Sequence, residues 1–406
     1  MLKYLLIRNC RLLEPEYGDQ LVDVLACEDR VIEIGNSIIQ PSIDTVCIEA
    51  EGRVLLPSLV DIKTNLSVPT PYDTGTHQTL QTLVSMGIGT ALVNVKQNQI
   101  QSEYVSLTRQ EIPTINYGCH FTLTSLVNAD KREIIKYKTE YGIPTSYHKL
   151  ISNGRGNREK LLNAINIARE LGLRMIFDIE KDGSTIEHLH VLGDLCNELA
   201  KEPDNDVLFV GIKYKEEVDF IEQLKQNCNV RMQLSFSTTD SKNKQLHPID
   251  LDSLVQYVRS YSWCSIGIID MGIRMRTFQS DKIQTDNHWY NTLSLLTSLS
   301  SDNPITLHEA VVAVVQRNAE FCGIGFKNAR VAVGAPANFI LWNESKRISV
   351  GISSEDGTLD SLVIKGCIDY SILNGHIIYS ISEGINETSI KGRNIYRRIQ
   401  TKNKNA

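Results

Sequence analysis

The chain has 406 residues, 42% of them hydrophobic and 22% charged, with a formal net charge of -6 and a pI near 5.9. That length suits one large barrel with an appendage and buries a sizeable core, while the acidic balance excludes nucleic acid and anionic membrane as electrostatically driven partners. The nine cysteines, Cys10, Cys27, Cys47, Cys119, Cys196, Cys228, Cys264, Cys322 and Cys367, include no CxxC pair, which excludes a zinc ribbon and a secreted disulfide framework.

Residues 4–8, 21–26 and 30–34 read as short strands between turn-prone segments. The N-terminus has no cleavable signal pattern and no apolar stretch approaches membrane-spanning length, so free thiols and a cytoplasmic location are expected. From about residue 54 the pattern changes to short apolar runs, rich in β-branched residues, separated by longer helix-period stretches. Eight runs occur, at 54–61, 90–95, 120–126, 147–152, 174–179, 207–212, 230–236 and 265–270. Residues 157–171 and 216–226 between them are amphipathic at helical spacing. Eightfold strand–helix alternation, with strands apolar on both faces, predicts an α/β fold, a (β/α)8 TIM barrel. A further helix is predicted over 305–325, and strands return at 338–342, 361–366 and 376–380. The β-rich ends predict one small β-sandwich built from both termini, residues 1–53 with 332–385, around a barrel at 54–331. Segment 386–406 carries Lys391, Arg393, Arg397, Arg398, Lys402 and Lys404 with no acid from Lys391 onward, and is expected to be a flexible tail.

Residues 52–61 (Gly-Arg-Val-Leu-Leu-Pro-Ser-Leu-Val-Asp), 87–95, 318–342 and 365–379 follow the order and spacing of the dihydroorotase branch of the amidohydrolases. On these segments the chain resembles that family over nearly its whole length; allantoinases and hydantoinases share the frame. The resemblance implies a metal-dependent hydrolase barrel with one or two zinc ions at the C-terminal ends of the strands. Histidine and carboxylate would hold them, and the metal would supply hydroxide and polarise a ring amide.

Carried over position by position, the family's ligand set is degenerate. The first strand's Asp-x-His-x-His stands here as Asp61-Ile-Lys63-Thr-Asn65, and the substrate-binding arginine and asparagine fall at Ser67 and Lys96. The fourth strand's aspartate becomes Ser152, the fifth strand's histidine Asp178, and the sixth strand's histidine Gly211. The eighth keeps Asp270, in the family the general base, as a vestigial catalytic position. An ammonium repels a cation, an amide is a poor zinc ligand and glycine offers no donor. Without a metal no hydroxide forms near neutral pH and nothing steadies the oxyanion.

Asp178, Glu180 and Asp270 are candidates for a weak magnesium or calcium site. The favoured reading replaces the metal by an ion pair between Lys63 and an aspartate. His188-Leu-His190 is the only His-x-His, but it sits in a helix-period stretch where i and i+2 point apart, so it reads as a surface helix face. His120, Tyr147 and His148 read as satisfied core or rim residues, and Phe236 and Met271 as apolar groups closing the mouth. The resemblance thus implies a noncatalytic dihydroorotase-like subunit of pyrimidine biosynthesis, with no zinc cofactor. Its implied partner is the catalytic chain of aspartate carbamoyltransferase, which it would stabilise in a homo- or hetero-oligomer. The alternatives are an active cyclic-amide hydrolase of dihydroorotase, hydantoinase or allantoinase type with an altered metal site, and a ligand-binding protein on the same frame.

Overall fold

The computed structural model describes residues 2–18, 20–64, 83–94, 115–128, 130–150, 155–179, 186–201, 206–235, 246–267, 292–299, 304–325, 329–353, 359–386 and 393. At the N-terminus, β1 (Tyr4–Cys10), β2 (Val22–Cys27), β3 (Arg30–Gly35) and β4 (Val46–Glu49) form a sheet in the order β3-β2-β1-β4. A second sheet joins β5 (Val54–Pro57) to β14 (Phe339–Ser353), β15 (Leu359–Leu373), β16 (His376–Ser380) and β17 (Gly384–Ile385). Leu5, Ile7, Val24 and Ile48 of the first sheet share one buried cluster with Leu55, Phe339, Leu341 and Ile372 of the second. Both ends of the chain therefore build one sandwich, as expected. β15 turns into β16 through Asn374-Gly375, whose φ values of 51° and 79° suit a two-residue hairpin that needs both residues left-handed.

The run at 54–61, read from sequence as one strand, is two. Val54–Pro57 pairs antiparallel with Phe339–Trp342 in the sandwich, and Leu59–Thr64 opens the barrel as β6. Ser58 N donates to Asn338 O and Leu59 N to Gly87 O, so the chain changes sheets at one peptide. The sandwich therefore extends to Pro57. Burial on both sides of the junction keeps the run apolar throughout and hides the change.

The barrel strands follow in chain order: β6, β7 (Ile88–Asn94), β8 (Asn116–Thr122), β9 (Thr145–Lys149), β10 (Arg174–Asp178), β11 (Asp206–Ile212), β12 (Asn229–Leu234) and β13 (Cys264–Ile266). They form one sheet with parallel ladders between neighbours. The helices between them are α1 (Leu123–Asn128), α2 (Lys131–Tyr141), α3 (Arg155–Glu170), α4 (Ile186–Leu199), α5 (Lys215–Lys225) and α6 (Leu251–Ser260). Asp130 and Asp250 cap α2 and α6 by accepting from Arg132 N and Ser253 N. The helices predicted at 157–171 and 216–226 are α3 and α5. The run at 120–126 divides: the strand ends at Thr122, and Leu123 and Leu126, three apart, turn one face of α1 to the core.

After α7 (Thr292–Leu299), the helix predicted over 305–325 is α8 (Leu307–Val311), a π-helical turn (Val312–Gln316) and α9 (Arg317–Phe321). This segment carries Asn318, fully buried, to the seam between the first and last barrel strands. Its Nδ2 shares its two hydrogens among Val60 O on β6 (3.2 Å), Ile266 O on β13 (3.3 Å) and Val314 O (2.7 Å). Among the described residues no ladder joins β13 to β6, so this amide stitches the curled sheet where it closes. Beyond residue 386, Arg393 N donates to Asn116 Oδ1 (3.0 Å) and its guanidinium pairs with Asp29 (2.7 Å), tying that point of the basic segment to barrel and sandwich. All nine cysteines are free. Among the described residues no helix is long and apolar enough to cross a membrane.

Candidate functional site

Alternation along β6 puts Asp61 and Lys63 on one face of the sheet. Lys63 Nζ lies 3.1 Å from Oδ1 of Asp178, the last residue of β10. Three strands separate β6 from β10 in the sheet, so this contact crosses the barrel and identifies the concave face. The ammonium-bearing and carboxylate side chains are 4% and 3% exposed. Groups of this kind are almost never buried so deeply unless paired. Asp178 Oδ2 accepts a second hydrogen bond from the Tyr147 hydroxyl at 2.5 Å.

His120 of β8 completes the layer. Its Nε2 faces Ile62 O at 3.3 Å and its Nδ1 faces Thr145 Oγ1 at 2.6 Å. A carbonyl only accepts, so Nε2 carries the proton and Nδ1 accepts from the threonine hydroxyl. Burial holds its pKa down at about 4, which keeps the imidazole neutral near pH 7. Its ring centroid lies 5.8 Å from that of Tyr147.

His148, next to Tyr147 on β9, points to the opposite face. Its Nε2 meets Ser146 Oγ at 2.9 Å, its ring lies 5.2 Å from that of Phe177, and its Nδ1 has no hydrogen-bond partner. Burial, reinforced by the positive charge a protonated His120 would add, pushes its pKa down to about 3. It takes no part in the lumen layer.

Among the described residues the donors do not make a set that fits the zinc implied by the resemblance. The described lumen offers an ammonium, a carboxylate bound by that ammonium and a phenol, the buried Asp61 carboxylate accepting from Lys63 N at 3.1 Å, and an imidazole with both nitrogens facing protein oxygens. No group of three or more His, Cys, Asp and Glu residues able to hold a metal occurs among the described residues. Gly211 has its own reason to be glycine. It sits at φ 81° in the bulge of β11 between Val210 and Ile212, a conformation that would strain a histidine.

Of the positions singled out from sequence, Lys63 and Asp178 come together and Gly211 shapes its strand. Asn65, Ser67, Lys96, Ser152, Glu180, Phe236, Asp270 and Met271 lie outside the described residues. His188 and His190 lie in α4, with His190 exposed. The sequence reading takes Tyr147 and His120 as core or rim residues; the structure gives both a place in the layer around Asp178. Alternation pairs Thr145 with Tyr147 on one face of β9, but it does not tell which face is the lumen.

No family model matches the sequence, and no curated protein matches it. Solved structures do. The D-hydantoinase (dihydropyrimidinase) from Thermus sp. superposes with a TM-score of 0.68 at 13% identity, over 96% of this chain and 97% of that one. The dihydropyrimidinase from Brevibacillus agri NCHU1002 gives 0.67 at 15%, over 98% and 97%. A dihydroorotase gives 0.61 at 13%, over 93% and 99%. At these identities the likeness is one of fold: a TIM barrel with a β-sandwich.

Proposed function

We propose that this chain is a noncatalytic barrel of the dihydroorotase type, in which a built-in cation stands in for the metal, and that it serves as a subunit of a partner enzyme. The observation that carries this reading is the Lys63–Asp178 ion pair across the lumen. Lys63 is aligned with a zinc-binding histidine of the resembled family, and its ammonium supplies countercharge to the carboxylate at the end of β10. An ammonium has donors and no acceptor, so it cannot carry hydroxide to a ring amide as a metal would. The barrel and sandwich persist around this pair, which fits a chain retained for its outer surface. The resemblance supports the catalytic chain of aspartate carbamoyltransferase as the partner, with the barrel stabilising the assembly.

The full chain, purified and dialysed against zinc, should hold no stoichiometric metal by elemental analysis. It should turn over dihydroorotate, hydantoin and dihydrouracil no faster than a blank. Turnover above the blank would instead establish an active cyclic amidohydrolase, and tightly held zinc would overturn the replacement of the metal by Lys63. Mixed with the aspartate carbamoyltransferase of the same organism, it should elute as one large complex. Two separate peaks would remove the subunit assignment and leave the noncatalytic one standing.

A further inference from the structure

A second site, apart from the lumen layer, lies where the sandwich meets the helices that follow the barrel. A cavity of about 470 Å³ opens there, within the range of roughly 300–1,000 Å³ usual for small-molecule sites. Leu55 and Leu56 of β5, with Leu13, Val311 and Val312, supply an apolar wall. Two polar lining side chains are more than nine-tenths buried, Glu14 at 7% exposure and Gln316 at 8%. Glu14 Oε1 accepts from Val331 N at 3.0 Å, whereas its Oε2 is buried with no hydrogen-bond partner. Such an unsatisfied group is destabilising unless something supplies a donor. The lining also includes Glu16 and Arg330, which pair with each other at 3.0 Å. Two carboxylates against one guanidinium leave the lining net negative. Val312 and Gln316 are the two ends of the π-helical turn, a rare geometry frequent at functional sites.

We propose that this cavity binds a small monocationic amine with a compact apolar body, its ammonium donating to Glu14 Oε2 and its body resting on the leucine and valine wall. An ammonium supplies the donor that the buried oxygen lacks and balances the second carboxylate, which the single guanidinium of Arg330 leaves in excess. The apolar wall excludes a heavily hydrated ion and selects a hydrocarbon body. Burial pushes the Glu14 carboxyl upward, and a bound cation would bring it back toward the charged form.

The test uses benzylamine, cationic at neutral pH, and benzyl alcohol, its neutral counterpart, titrated calorimetrically into the full chain. Wild type should bind one benzylamine per chain saturably and benzyl alcohol roughly tenfold more weakly, because both donate to Glu14 Oε2 but only the ammonium brings a positive charge to it. Glu14→Gln keeps a carbonyl for Val331 N and should abolish the preference for the amine. Val312→Trp fills the cavity and should abolish binding of both probes. Circular dichroism confirms that each variant is folded. Absence of saturable benzylamine binding, equal binding of the two probes by wild type, or amine preference undiminished in Glu14→Gln would each overturn the proposal. These results are independent of whether the lumen holds a metal.

Discussion

Replacing Lys63 by methionine removes the ammonium from Asp178 while keeping an aliphatic stem in the lumen. At 3.1 Å and an effective dielectric constant of about 20, the attraction between the two charges is about 5 kcal/mol. Much of it offsets the desolvation of two groups that are 4% and 3% exposed. Removal of one partner of a buried pair costs about 3–5 kcal/mol, because the other charge stays behind uncompensated. The Tyr147 hydroxyl remains on Asp178, which puts the expected loss at the lower end, about 3 kcal/mol. Asp178→Asn, which takes the countercharge from the ammonium instead, should cost a similar amount. The double variant Lys63→Met with Asp178→Asn removes both charges of the pair, and should be more stable than the sum of the single losses predicts by about 2 kcal/mol or more. Equilibrium urea unfolding of wild type, both single variants and the double variant closes the cycle. A single-variant loss below about 1 kcal/mol, or strict additivity, would mean that the pair behaves like a solvated surface contact, and the replacement of a metal by Lys63 would lose its physical basis.

Acidification should weaken the fold. His120 and His148 are held at about 4 and about 3 against an ordinary 6.5, so the unfolded chain takes up their protons first, and the stability they lend is full above 6.5 and lost as pH falls toward those values. Glu217 opposes them. Burial pushes it up to about 7 although it accepts from Lys213 N and Tyr214 N, so its contribution is lost as pH rises from 4.5 to 7. Two groups against one leave a net slope of about 1.4 kcal/mol per pH unit between 6.5 and 4.5; Glu217→Gln should roughly double it, and an unchanged slope of urea midpoint against pH would contradict this. Asn318→Leu should cost about 2–4 kcal/mol, since two strand carbonyls at the seam lose their donor. Amide hydrogen exchange should accelerate in β6 and β13 more than in β9, and uniform acceleration would deny that the seam is local. Gly375→Ala forces an L-residue to φ 79° and sets a methyl 1.8 Å from Glu28 O, for a loss of about 1–3 kcal/mol. Gly384→Ala, at φ 77° with open space, should lower the melting temperature less, and equal losses would show that the Glu28 contact does not matter.

The architecture was legible in the chain because strands covered on both faces leave short, continuous apolar runs, and helices between them leave a 3.6-residue period. The two β-rich ends likewise announced a composite sandwich. Lys63 and Gly211 stood out as losses only against the resembled family's ligand pattern, and the charge argument for Lys63 required no coordinates. Tertiary structure alone decided the rest. Nothing local distinguishes Pro57 from Leu59, yet they belong to different sheets, because the partner strands lie far along the chain. Tyr147 and His148 are neighbours of similar polarity, and only the curl of the sheet turns one to Asp178 and the other away from it. The Lys63–Asp178 contact itself depends on the barrel bringing strands one and five across the lumen. Periodicity records which side chains are buried; it carries no information about which distant strand a buried charge will face, since that is set by register and closure over the whole sheet.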